Sequence, residues 1–115
     1  TRIGSAVGWA CYEGHVGVAR YLCEKGASPR ATDSVFWRGL PPILAAASKG
    51  QQRAVAFLCE EQNVSIKTCD DDSLGILHHI HGPDDWQQRP NYVATDEYAQ
   101  SRGAKKQHFR NFTTK

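Results

Sequence analysis

No stretch of the 115 residues comes near the roughly 18 consecutive apolar side chains of a membrane span. The longest candidate, Leu40 to Ser48, is half that length and holds Pro41 and Pro42, so a transmembrane segment is not expected. Methionine is missing altogether and the first residue is Thr1. We therefore expect a segment of a longer protein, in which a missing targeting peptide carries little information. The chain also lacks a phosphate-cradling glycine loop, a Gly-x-Ser-x-Gly elbow, a Cys-x-x-Cys pair and a His-Glu-x-x-His pair. The carboxylate pairs Asp84-Asp85 and Asp96-Glu97 fall in polar stretches, where tuning a pKa for catalysis is difficult. Catalysis is not expected, and neither is a cofactor. The length allows one domain and excludes a complete (β/α)8 barrel.

What is present is a modest apolar share of 40%, a mean hydropathy of −0.55, and a net charge of +2 that hides an asymmetry. Residues 1–59 carry seven basic and three acidic side chains, and residues 60–97 carry two basic and nine acidic. Arg102, Lys105, Lys106, Arg110 and Lys115 then form an acid-free basic end, a pattern suited to electrostatic docking. Of the four cysteines, Cys23 and Cys59 sit in matching apolar stretches, Tyr21-Leu22-Cys23-Glu24 and Phe57-Leu58-Cys59-Glu60. A thiol in the apolar register of a helix behaves as a small buried hydrophobe. Both are expected buried and reduced, in an intracellular compartment.

Those stretches belong to an internal repeat. Gly14 to Glu24 recurs as Gly50 to Glu60, 36 residues later, with Gly, Leu, Cys and Glu identical and an aromatic kept before Leu. The preceding Ser5 to Cys11 matches Pro41 to Ala47. Each unit reads as two short helices. Ser5 is the expected N-cap of the first and Gly14 its terminator; a second helix spans about Val16 to Lys25 and is closed by Gly26. In the second unit Pro42 stands near the helix start, Gly50 between the helices, and Gln62-Asn63 in place of Gly26-Ala27. Small residues at Ala10, Ala46 and Ala47 permit close approach of the paired helices, and neither pair can bury its apolar face without stacking.

This pattern resembles the ankyrin repeat, through Ala10, Gly14-His15, Leu22 and Gly26-Ala27 in one unit and Pro42, Ile43, Ala46, Ala47, Gly50 and Phe57-Leu58 in the next. The resemblance implies an all-α fold of stacked helix-turn-helix repeats, a short α-solenoid, acting as a protein-protein interaction module. The repeat domain is expected over 1–82, with units at about 2–33 and 34–69 and a partial third at 70–82. The family's turn histidine is replaced by Gly8 and Leu44, so its hydrogen-bond network is missing. The third unit runs through Ile76, Leu77 and Ile80 to Gly82-Pro83, where no Leu-rich second helix follows. Residues 83–115 are expected to be an irregular aromatic and basic extension, with at most a short helix capped by Thr95 and ended by Gly103. We accordingly expect Ile76, Leu77 and Ile80 to need cover from another protein or from sequence outside these residues, the extension from Asp84 onward being sparse in apolar side chains.

The expected contact residues follow. The spacing of 36 rather than 33 places an insertion near Ser34 to Leu40, a finger bearing Phe36, Trp37 and Arg38, types enriched at interface hot spots. Trp9 and Tyr12 of the first helix are expected on the same side. Trp86 and the tail residues Lys105, Lys106, Phe109, Arg110 and Phe112 complete the set, and the partners are other subunits of a protein assembly. The competing reading is an accessory protein that binds nucleic acid through the basic, ring-bearing tail. It also admits a metal in the cluster of Cys69 to Asp72 and His78 to His81, held by His78 and His81 on one helix face with Cys69 or Asp70 brought near. The acidic run reads equally as an inter-repeat turn, and no metal site is expected.

Overall fold

The computed structural model describes residues 2–30, 40–69 and 74–104, with backbone alone for residues 2–5. Among these residues the architecture is all-helical: α1 (Arg2–Tyr12), α2 (Val16–Glu24), α3 (Pro42–Ser48), α4 (Gln52–Glu60), α5 (Ile76–Ile80), a 3₁₀ turn (Trp86–Gln88) and α6 (Pro90–Ser101). Helix α1 packs on α2 and α3, α3 packs on α4 and α5, and α6 packs on both α4 and α5. Three helix pairs are therefore stacked side by side. The core runs along the first helices of the pairs, where Ile43, Leu44, Ala45, Ala46 and Ala47 are fully buried in α3. None of the described helices is long and apolar enough to cross a membrane.

The three second helices end alike. Gly26, Asn63 and Gly103 each take a left-handed backbone, with φ of 104°, 58° and 107°. The next residue then folds back: the Ala27 amide donates to Leu22 O at 3.0 Å, Val64 to Leu58 O at 2.9 Å, and Ala104 to Ala99 O at 2.9 Å. Such back-bonds satisfy carbonyls that a helix end otherwise leaves open. Asn63, rather than Gln62-Asn63 jointly, stands in the place of Gly26. With these ends superposed in register, Tyr21, Phe57 and Tyr98 occupy one position of the three pairs, and Val18, Ala54 and Thr95 another.

Several expectations are corrected here. Residues 83–104 are not irregular: α6 lies where the second helix of a third pair belongs. It starts at Pro90, whose fixed φ suits a first helical position, and the Thr95 hydroxyl donates to Asn91 O at 2.7 Å within the helix instead of capping it. Ile76, Leu77 and Ile80 are consequently buried within this chain. Helix α1 begins at Arg2, upstream of Ser5, and runs through Gly4. Of the paired cysteines, Cys59 is buried but Cys23 is half-buried, since α4 is covered from both sides and α2 from one. All four cysteines are thiols.

Contacts between the turns replace the missing histidine network. Gln51 Nε2 donates to Tyr12 O at 3.1 Å, tying the second turn to the first. Tyr92 Oη donates to Ser48 O at 3.0 Å, and Asn91 Nδ2 lies 3.3 Å from Lys49 O and 3.4 Å from Gly50 O. The approach is close enough that a Cβ on Gly50 would sit 2.6 Å from Asn91 Nδ2, at a φ of +70° that disfavours any side chain.

Candidate functional site

Trp9 leads the candidate surface. It lies on α1 and stays 48% exposed, although the equivalent residue of α3, Ala45, is fully buried. Its ring meets Tyr12 edge-on, with centroids 5.7 Å apart and planes at 86°. Lys49 in turn places Nζ 4.7 Å from the centroid of the half-buried Tyr12 ring. The three side chains come from α1 and the turn after α3, and the Gln51 bond to Tyr12 O braces the same junction. A braced ring needs little further ordering on binding and offers a large apolar area with a polar rim.

Phe36, Trp37 and Arg38, and likewise Lys105, Lys106, Phe109, Arg110 and Phe112, lie outside the described residues. Trp86, also an expected contact residue, is engaged within the stack. Its ring stacks on His81 at 4.0 Å with planes 12° apart, and it packs half-buried against the core. It serves the joint between α5 and α6, because His81 also pairs with Asp96 of α6 at 2.7 Å. Gln100 Nε2 holds the other Asp96 oxygen at 2.8 Å. This closes a polar cluster in which a mostly buried carboxylate has a partner on each oxygen, as burial of charge requires.

That cluster also takes His81 out of the metal set. His78 is exposed, and Cys69 Sγ is 3.5 Å from Lys67 O; Asp70, Asp71 and Asp72 lie outside the described residues. Among the described residues no three His, Cys, Asp or Glu side chains converge as a metal site. The thiols of Cys11, Cys23 and Cys59 are shifted away from reactivity. Burial, and then the nearby Cys23, push Cys11 up to about 12. Burial raises Cys59 as well, against the opposing pull of Arg102.

Sequence reasoning missed two features. The first is a pair of clasps from the first unit to the end of α4. Arg20 grips Glu61 with both guanidinium arms, at 2.9 and 2.7 Å, and its guanidinium lies 5.3 Å from the Phe57 centroid. Arg30 donates to Gln62 O at 3.1 Å and to Asn63 O at 2.7 Å. The second is an apolar face on α2, where Val18 is 53% and Tyr21 57% exposed. The repeat alignment pairs Tyr21 with Phe57, which is 3% exposed. Only the presence of α2 over α4, and of nothing described over α2, separates them.

Comparison with known families now bears on this arrangement. The family model of the ankyrin repeat matches residues 6–34. The chain carries an ankyrin repeat. The matched segment takes in most of α1, all of α2 and the left-handed end at Gly26, and the α3–α4 ankyrin-like pair repeats its geometry. No curated protein matches the chain. Ankyrin repeats generally serve as protein-protein interaction modules and are typically not enzymes.

Proposed function

We propose that this chain is a non-catalytic docking module that holds another protein subunit within a larger assembly. The unit that binds is the stack of helices α1 to α6. Its contact surface is centred on Trp9 and Tyr12, extended by the finger residues Phe36, Trp37 and Arg38 and by the basic tail with Lys105, Lys106, Phe109, Arg110 and Phe112. The observation that carries this reading is the half-exposed indole of Trp9, braced by Tyr12. Aromatic anchors of this kind contribute a disproportionate share of interface energy, about 2 kcal/mol or more each on truncation. The ankyrin repeat itself favours protein over small-molecule ligands as partner. The turn ladder braces the junction that bears Trp9 and Tyr12, which lowers the entropy lost on docking there.

Affinity capture with the intact chain and with Trp9→Ala tests the reading. A partner should be retained by the parent and lost at least about tenfold with Trp9→Ala. Thermal unfolding should stay within about 0.5 kcal/mol of the parent, as for a surface change. Undiminished capture by the variant, or loss that merely tracks unfolding, contradicts the proposal.

A further inference from the structure

Ser28 follows the left-handed end of α2, outside any helix, and its side chain is exposed. Its Oγ accepts the Arg30 amide at 3.2 Å, which fixes the hydroxyl beside Arg30. Of the five prolines, only Pro29 follows a serine or threonine; the others follow Leu40, Pro41, Gly82 and Arg89. Arg30 is the residue whose guanidinium clasps Gln62 O and Asn63 O at the end of α4. An accessible hydroxyl, a proline beside it and an arginine that clasps two uncharged carbonyls thus meet within three residues.

We infer that Ser28 is a phosphorylation site for a proline-directed protein kinase, and that the added phosphate releases the Arg30 clasp on α4. The Ser28 hydroxyl oxygen attacks the γ-phosphorus of a nucleoside triphosphate held by the kinase. An O–P bond forms there as the bond from that phosphorus to the β,γ-bridging oxygen breaks, and the nucleoside diphosphate leaves with the electron pair. The hydroxyl proton passes to a carboxylate of the kinase and then to solvent. The phosphate carries about −1.5 to −2 charges at neutral pH. It sits next to an arginine that otherwise serves two neutral carbonyls. A bidentate pairing of the cationic guanidinium with a phosphate dianion adds full charge–charge attraction that its bonds to uncharged carbonyls lack, so the guanidinium transfers to the phosphate. The carbonyls of Gln62 and Asn63 turn to water, and the back-bond from Val64 N to Leu58 O loses its brace.

The test treats the intact chain with a purified proline-directed kinase, magnesium and ATP. It reads the modified residue by mass spectrometry and amide exchange at Val64 before and after. One phosphoryl group on Ser28, none on Ser28→Ala, sharply reduced transfer to Pro29→Ala, and several-fold faster exchange at Val64 are the expected results. Arg30→Ala should still accept phosphate but exchange rapidly at Val64 from the outset, with no further change. Exchange of each variant before kinase treatment confirms that α2 and α4 remain folded. Absence of label on the native chain, label at another residue, equal transfer to Pro29→Ala, or an unchanged Val64 rate after modification would each overturn the inference.

Discussion

The two ends of the stack are built from equivalent helices with opposite surfaces. At the first end, α2 turns Val18 and Tyr21 to water. At the other, the equivalent positions of α6, Thr95 and Tyr98, face inward, with Thr95 fully buried and the Tyr98 hydroxyl donating to Glu60 at 2.7 Å. Burial, and then that bond, raise the Tyr98 phenol pKa. The outer side of α6 bears the exposed Glu97 and Gln100, where α2 uses the equivalent Arg20 to grip α4. Position in the stack, more than residue type, decides what each side chain does. One end is finished by polar residues, whereas the other keeps an apolar face.

The comparison breaks most readily at the shared aromatic position. Phe57→Ala should cost about 3–5 kcal/mol, whereas Tyr21→Ala should stay within about 0.5 kcal/mol, both measured by urea unfolding. Equal costs would mean that α2 is covered as α4 is. Next in size is the joint of α5 and α6. Asp96→Ala removes the acceptor shared by the half-buried His81 and the exposed Gln100 and should cost about 1–3 kcal/mol, the worth of two hydrogen bonds. Its effect should centre on α6 in hydrogen exchange.

The turn glycines sharpen the same contrast. Gly50→Ala should cost more than Gly26→Ala. Both have positive φ, but a Cβ at Gly50 meets Asn91 and Tyr92, whereas one at Gly26 meets open space. For Gly26 the left-handed backbone alone costs about 1–2 kcal/mol. At neutral pH the last contrast is silent, and it emerges only at alkaline pH. Unfolded, the Cys11 thiol ionises around its ordinary value of 9.0; folded, it keeps its proton until about 12. The unfolded chain therefore binds fewer protons across that window, so stability present below pH 9 should fall as pH rises toward 12. Cys11→Ala should flatten that part of the urea-midpoint profile.

Much of this was legible in the sequence, for reasons that also explain what was not. The first two pairs show themselves because Gly14 and Gly50 punctuate apolar helices whose inward positions are Val, Ile, Leu and Ala. Helix α6 hides because its inward positions include Thr95 and Asp96, which leave no apolar stripe. Asp96 can occupy such a place only because His81 and Gln100 pair with it, a relation invisible until the fold brings them together. A usable signal did exist: Tyr98 stands five residues before Gly103-Ala104, as Tyr21 stands before Gly26-Ala27. At the candidate site, Trp9 was readable as an exposed ring. The bracing of Tyr12 by Lys49 was not, since it depends on turn geometry, and neither was the stacking of Trp86 on His81.

The central claim is that α6 completes a third helix pair and closes the stack from within the same chain. Native-state hydrogen exchange at Val64 and Ala104, whose amides make equivalent back-bonds in the second and third pairs, tests it most directly. The account predicts that both exchange with one opening free energy, as members of a single cooperative unit. Free exchange at Ala104 and throughout α6, beside a protected Val64, would contradict it.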